Sequence, residues 1–377
     1  MHLFVTLTHE CNLKCSYCYG KCCDDFGSSE DDGDSGFGEV DYDLPDNISY
    51  DVSDLRMFAE KEPVENLIFY GGEPLLRLDT LYEMMDEVPA KRFMVQTNGL
   101  LLHQLEPSYL RRLHTLLVSV DGAEDVTDGY RGRGVYRRVL EQVRLARERG
   151  FTGEVVARMT VGRQTDIDAQ VLHLLLETGG LFDSVHWQLD AQFWRSDYDP
   201  KGFSQWVRSS YRPRLLNVIE EWVKRMETKR QVLRIYPFLG VTETLLTGLP
   251  PGLRCGSGWA QLTVQTNGAL AACPAMLGMK RYYFGSIRCG VQIGNASALG
   301  SPCSSCRTLK LCGGRCLYAN ITKLWNETGF RLVCSTVKTL TDGLQAALPR
   351  IQGLLKNGDL SQSDFEYTKF NSCEIIP

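Results

Sequence analysis

The placement of cysteine along this 377-residue chain limits its architecture more than any other feature. Of 14 cysteines, five lie within residues 11–23, none between 24 and 254, and nine from 255 onward. A disulfide scaffold would spread them through the core. This distribution instead marks two metal-binding ends around a cysteine-free body. The N-terminus, Met1-His-Leu-Phe-Val-Thr-Leu-Thr8, lacks a basic n-region and a long apolar stretch, so it reads as a first strand and not a signal peptide. Without a signal, a cytoplasmic setting and reduced thiols are expected.

The body alternates short apolar runs with helical patterns. The runs are His2–Leu7, Asn66–Tyr70, Arg92–Thr97, Leu116–Val120, Glu154–Val161 and Ser184–Leu189. Helical patterns lie near Val52–Glu60, Leu78–Val88, Ser108–Leu113, Tyr136–Arg149, Ile167–Thr178 and Phe203–Thr228. Such alternation predicts a parallel sheet in an α/β fold. Six units predict a partial (β/α)6 barrel, in which chemistry sits at the C-terminal ends of the strands. The expected organisation is a barrel over 1–240, a small Cys-rich domain over 250–335, and a helix (Thr336–Leu355) and tail over 336–377. Segment 24–46 is acidic and Gly/Ser-rich, and reads as a loop after the first cysteines. A net charge of −5 gives no basic field for nucleic acid or anionic membrane. No apolar run approaches the roughly 20 residues of a membrane span.

The run Cys11-Asn-Leu-Lys-Cys15-Ser-Tyr-Cys18 follows the first strand. A [4Fe–4S] cube binds one ligand per iron, so three thiolates leave one iron open; a three-thiolate zinc site is the alternative. The second strand runs into Gly71-Gly72-Glu73-Pro74, and glycines there allow close approach of backbone to a ligand. Gln96-Thr97-Asn98-Gly99 ends the third strand. In the fourth, Ser119 and Asp121 share a face. Arg158, in the fifth, needs a carboxylate partner, from a ligand or from the chain itself. His186, Gln188 and Asp190 share one face of the sixth and suggest a substrate-facing wall; Asp190 could move a proton. Downstream, Cys255 is followed by Gly268 and Cys273, then by Cys303-x2-Cys306-x5-Cys312-x3-Cys316 and Cys334.

The cysteine triplet with Tyr17, the Gly-Gly-Glu-Pro turn, and the phrase Tyr130-Arg-Gly-Arg-Gly134 resemble the radical S-adenosylmethionine (SAM) family. The downstream cysteine spacing resembles the SPASM extension of those enzymes, and the whole resembles peptide-modifying members. The resemblance implies a SAM-binding cluster on Cys11, Cys15 and Cys18, with SAM chelating the open iron. It implies SAM contacts from Tyr17, Gly71, Gly72, Glu73, Asn98, Ser119, Asp121, Arg158 and Gln188. It also implies one auxiliary cluster on Cys303, Cys306, Cys312 and Cys334. Another would lie on Cys255, Cys273 and Cys316, its fourth iron open or bound by Cys289, since Gln261 stands where some members have a cysteine. Cys22, Cys23 and Cys373 are left over. The expected cofactors are three [4Fe–4S] clusters and SAM.

The implied activity is hydrogen abstraction by a 5′-deoxyadenosyl radical from a peptide or protein, giving a thioether or carbon–carbon crosslink or an oxidised side chain. The expected electron donor is a ferredoxin or flavodoxin. A first strand at residue 2 leaves no room for a fused leader-binding domain, so either a separate leader-recognition protein or a leaderless protein substrate is expected. The rival readings are a small-molecule enzyme of cofactor biosynthesis and a zinc-binding module without enzymatic activity.

Overall fold

The computed structural model describes residues 1–18, 41, 44–193, 198–292, 299–323 and 325–377. Cys22, Cys23 and nearly all of the acidic segment 24–46 lie outside the described residues. In chain order the elements are β1 (His2–Thr8), α1 (Val52–Lys61), β2 (Val64–Gly71), α2 (Leu78–Glu87), β3 (Ala90–Thr97), α3 (Pro107–Leu110), β4 (Leu113–Ser119), α4 (Glu124–Arg131), α5 (Val135–Glu148), β5 (Glu154–Val161), α6 (Ile167–Leu172), β6 (Ser184–Leu189), α7 (Pro200–Trp206), α8 (Arg212–Lys229), β7 (Arg234–Ile235) and α9 (Tyr236–Thr247). The cysteine-rich part adds β8 (Gln261–Val264), β9 (Ala269–Ala271), β10 (Tyr283–Ser286), β11 (Gly290–Val291), α10 (Leu309–Cys312), α11 (Leu317–Thr322) and α12 (Asn326–Lys356). The six expected body strands are all present, alternating with helices in an α/β fold.

The chain divides into two compact units. The first comprises Met1–Val120, Thr127–Val156 and Gly256–Leu299; the second comprises Asp121–Val126, Ala157–Cys255 and Gly300–Pro377. In the first unit the strand order is β11-β10-β9-β8-β1-β2-β3-β4. β1 pairs in parallel with β2 on one side and β8 on the other, with Phe4 opposite Ile68 and Thr263. β2–β3 and β3–β4 are also parallel, whereas β8–β9, β9–β10 and β10–β11 are antiparallel. Leu3, Phe4, Val5, Leu67, Ile68 and Phe69 are fully buried, the near-continuous apolar run of strands covered on both faces. The strand β8 was not expected from the sequence: it extends the sheet beyond β1, so the first strand is central and not an edge.

In the second unit β6 and β7 pair in parallel. α8 buries Leu215, Val218, Ile219, Trp222, Val223 and Met226, a stripe at helical spacing. Its outer face is tied to α12 by Arg350, which meets Glu220 and Glu227 at 2.6 and 2.7 Å. The closing helix begins at Asn326, earlier than the Thr336 expected from sequence. Asn326 Oδ1 accepts from Gly329 N at 3.0 Å, starting the turn. Gly329 packs there instead of breaking the helix, because a Cβ on it would meet the Phe193 ring at 2.8 Å. The earlier start puts Cys334 inside α12. Among the described residues no helix is long and apolar enough to cross a membrane.

Candidate active site

The cysteine loop grows directly out of β1. Thr8 is fully buried and its Oγ1 accepts from Glu10 N at 3.1 Å, which ends the strand. The loop then turns tightly: Leu13 N donates to Cys11 Sγ at 3.4 Å, and Cys18 N to Cys15 O at 3.2 Å. Its far side is anchored to the end of α4. Ser16 N donates to Tyr130 O at 2.9 Å, the Tyr17 ring lies 5.2 Å from that of Tyr130, and the Arg131 guanidinium lies 5.5 Å over Tyr17. Arg131 is buried, and this cation–π contact pins the aromatic of the triplet.

The glycines of the Gly-Gly-Glu-Pro turn have a geometric task. A Cβ on Gly71, at φ +146°, would lie 2.2 Å from Thr8 O, and one on Gly72 would lie 2.2 Å from Glu10 O. Only glycine lets the turn close onto the root of the cysteine loop. The two are then stitched by Gly72 N to Thr8 O and Glu73 N to Glu10 O, both 2.8 Å. Arg77 reinforces the joint with 2.6 Å contacts to Glu10 Oε2 and Asn47 Oδ1.

Glu73 is fully buried. Its carboxyl accepts from Asn98 N at 2.7 Å, Thr97 Oγ1 at 2.8 Å and Leu75 N at 3.0 Å. Burial pushes it up to about 7, against these three donors. The carboxyl therefore locks β2 to the end of β3. The Glu73 side chain is thereby committed to the chain itself. Asn98 completes the cradle: its Nδ2 donates to Asn12 Oδ1 at 2.6 Å and stands 3.9 Å from Cys11 Sγ, while its Oδ1 accepts from Leu100 N at 3.0 Å. Burial raises the Cys11 thiol, with Glu73 and Cys18 adding to the rise, while the Leu13 N–H and the Asn98 amide oppose it. Those two donors suit a sulfur that carries negative charge, as a cluster thiolate does. Ser119 ends β4 half-buried, with no side-chain hydrogen bond among the described residues.

Within the second unit the expected residues behave differently. Asp121 is fully buried and its Oδ1 accepts from Thr160 N at 2.7 Å, so this carboxylate clamps backbone. Arg158 Nη1 donates to Ser372 Oγ at 2.9 Å, so the chain's own C-terminal tail supplies this partner to the arginine. His186 is fully buried with Nε2 at 3.3 Å from Ile375 O, and burial, then Arg158, lower its affinity for a proton. Gln188 is half-buried and makes no side-chain hydrogen bond among the described residues. Asp190 is held at both ends: its Oδ1 accepts from Gln192 Nε2 and its carbonyl from Tyr198 Oη, each at 2.7 Å.

The second unit also gathers the downstream cysteines. Cys303 opens a 3-10 turn and Cys312 ends α10. Cys316 caps α11, its Sγ accepting from Ala319 N at 3.5 Å. Asn320, fully buried, clasps Gly300 through Oδ1 (2.7 Å) and Nδ2 (3.1 Å). Burial raises the thiols of Cys303, Cys312 (to about 11) and Cys334, and each feels the others: Cys303 feels Cys306 and Cys316, Cys312 feels Cys334 and Cys303, and Cys334 feels Cys303 and Cys306. Cys255 is buried beside Arg254, a residue that sequence reasoning passed over. Arg254 donates to Gly240 O at 2.7 Å, Thr244 Oγ1 at 3.0 Å and Leu311 O at 3.1 Å, fixing α10 against α9. In the first unit, Cys273 opens the turn after β9 and Cys289 is exposed on the β10–β11 hairpin. No three His, Cys, Asp or Glu side chains among the described residues stand close enough to share a single ion. The thiolates of a cube bind separate irons and need wider spacing.

Comparison with known proteins agrees with this geometry. Residues 5–175 match the radical SAM superfamily. The Fe-coproporphyrin III synthase of Methanosarcina barkeri is 30% identical over 176 residues, 45% of this chain and 39% of that protein. A probable GTP 3′,8-cyclase of Methanocella arvoryzae is 31% identical over 155 residues, 40% of this chain and 44% of that protein. The chain thus spans well under two thirds of these relatives. Among solved structures, anSMEcpe with bound AdoMet and a Cp18Cys peptide superposes with a TM-score of 0.67 at 17% identity, covering 94% of this chain and 99% of that one. Streptococcus suis SuiB bound to its precursor peptide SuiA gives 0.51 at 17% identity, covering 84% and 71%. With its three-cysteine loop braced by the Gly-Gly-Glu-Pro turn, the chain carries over residues 5–175 a domain that matches the radical SAM superfamily.

Proposed function

We propose that this chain is a SPASM-type radical SAM enzyme that takes a hydrogen atom from a peptide or protein substrate and leaves a crosslink or an oxidised side chain. The observation that carries this reading is the fold shared, over 94% of the chain, with an enzyme solved holding both AdoMet and a peptide. The cysteine-rich part is included in that overlap. Cys11, Cys15 and Cys18 would hold the SAM cluster, which when bound supplies the electron for reductive SAM cleavage. The Leu13 N–H and Asn98 amide support its thiolates, the Gly71–Glu73 turn fixes the loop, and Tyr17 and Arg131 seal its flank. Cys303, Cys306, Cys312 and Cys334 would hold an auxiliary cluster. Cys255, Cys273 and Cys316 would hold a second, with its fourth iron open or bound by Cys289. A ferredoxin or flavodoxin would supply the electrons, and a separate protein could present the substrate.

A small-molecule substrate is the second reading, favoured by the two curated relatives named above. Their similarity covers 40–45% of this chain, which leaves open what the rest recognises. Reduced protein incubated with SAM and cysteine-containing peptides is expected to remove two hydrogens from a peptide, read as a mass loss matched by 5′-deoxyadenosine. 5′-Deoxyadenosine without change in any peptide would favour the small-molecule reading. The reconstituted protein should contain about 12 iron atoms per chain, four for each of three cubes, falling to about eight in Cys15→Ala. A colourless protein carrying zinc would contradict both readings.

A further inference from the structure

Arg315 sits between two of the cysteines, in Cys312-Gly-Gly-Arg-Cys316, and is only 7% exposed. The backbone is left-handed at three successive residues: Gly313 (φ +72°), Gly314 (φ +88°) and Arg315 (φ +52°). Glycine suits the first two. At the third, an L side chain costs roughly 1–2 kcal/mol, and a third glycine would avoid it. The chain carries arginine there nonetheless. The guanidinium is held over the Trp325 ring at 4.7 Å, a contact that fixes its plane but supplies no counter-charge. Arg315 Nε is buried with no hydrogen-bond partner, and no carboxylate pairs with the side chain among the described residues.

A buried cation without a counter-ion is costly enough that folded chains avoid it. Arg315 lies in the loop between Cys312 and Cys316, and the acidic groups it faces are the thiols of Cys312 and Cys334 and the hydroxyl of Tyr211. A cube held by four thiolates is a net anion, and reduction makes it more so. We propose that Arg315 is the counter-cation built into the iron–sulfur centre at Cys303, Cys306, Cys312 and Cys334, and that it raises the reduction potential of that centre by stabilising its reduced state. This rests on the reading that these four cysteines hold a cluster. Arg315 is a positioning charge, not a ligand. Lys323, exposed and held near Phe330 at 5.5 Å, also faces Cys303, but water screens it.

The test is an EPR-monitored redox titration of the reconstituted full-length protein, with dithionite as reductant. The signal of this centre is identified by its loss in Cys312→Ala. Arg315→Gln should lower its midpoint by the equivalent of at least a tenfold change in the reduction equilibrium, about 59 mV for one electron. Arg315→Lys should recover most of the shift, and Lys323→Gln should move the midpoint far less. Arg315→Gly removes the charge while relieving the left-handed strain, so a midpoint lowered as in the Gln variant cannot be ascribed to a damaged fold. Unchanged midpoints in the Gln and Gly variants, with full iron content, would overturn the role of Arg315. Iron missing from this site in the unaltered protein, with the Cys11/Cys15/Cys18 cluster intact, would overturn the underlying four-cysteine reading.

Discussion

Replacing Glu73 with alanine is expected to cost about 3 kcal/mol of stability and to empty the Cys11/Cys15/Cys18 site of iron. The carboxyl is enclosed and serves three donors: Asn98 N, Thr97 Oγ1 and Leu75 N. Stranding a buried donor costs about 1–3 kcal/mol. The sum is partly offset because a desolvated carboxyl is also removed. The structural consequence reaches further than the energy. Asn98 hangs from that carboxyl by its backbone and reaches Asn12 and Cys11 by its side chain, so losing Glu73 frees one wall of the cysteine loop. A lowered urea midpoint together with about four fewer iron atoms per chain is the expected result. An Ala variant with unchanged midpoint and iron content would show that the loop is held by other means.

Deleting residues 371–377 is expected to cost about 5 kcal/mol, lowering the melting temperature of the 377-residue chain by roughly 6 °C. These residues form a buried strap on the second unit. Asn371, Cys373 and Ile376 are fully buried, and Asn371 Nδ2 donates to Tyr236 Oη at 3.1 Å. Pro377 O accepts from Thr336 Oγ1 at 3.2 Å, and Ser372 and Ile375 engage Arg158 and His186. The strap also makes stability depend on pH. Burial pushes the Glu374 carboxyl up to about 7, with Arg158 and backbone donors opposing. The folded chain therefore holds this proton more tightly than the unfolded chain. Its contribution is complete below about pH 4.5, where carboxyls titrate when unfolded, and is lost as pH rises through about 7. Stability should fall across that interval, and Glu374→Gln should flatten the fall. A truncated chain with the same melting temperature as the full one would show that the strap does not support the fold.

Much of this was legible in the sequence because its signals are periodic or chemically specific. Strands β1 to β6 announce themselves as apolar runs bounded by Gly, Asp or Asn. The closing helix was legible too, although it starts at Asn326 and so takes in Cys334. Helix α9 escaped because it is buried nearly all round, with Tyr236 to Thr242 covered, and so shows no polar face from which a 3.6-residue period can be read. Strand β8 escaped because Gln261-Leu-Thr-Val264 is too short to register by itself; its pairing with β1 is a tertiary fact. At the site, the sequence showed that Arg158 needs a partner but could not reveal that one lies more than 200 residues away, in the tail. Arg131 carries no local signal of its role, because the Tyr17 ring it covers is more than 100 residues away in the chain. Local pattern reports which side of an element a residue occupies. What waits there is decided by the rest of the chain.

The central claim is that Cys11, Cys15 and Cys18 support reductive cleavage of SAM. It is tested most directly by measuring 5′-deoxyadenosine after the dithionite-reduced, iron-loaded protein is mixed with SAM under anaerobic conditions. The unaltered protein should form 5′-deoxyadenosine, and Cys15→Ala, with its remaining iron in place, should form none above background. Equal yields from the two proteins, or none from a fully iron-loaded unaltered chain, would contradict the account.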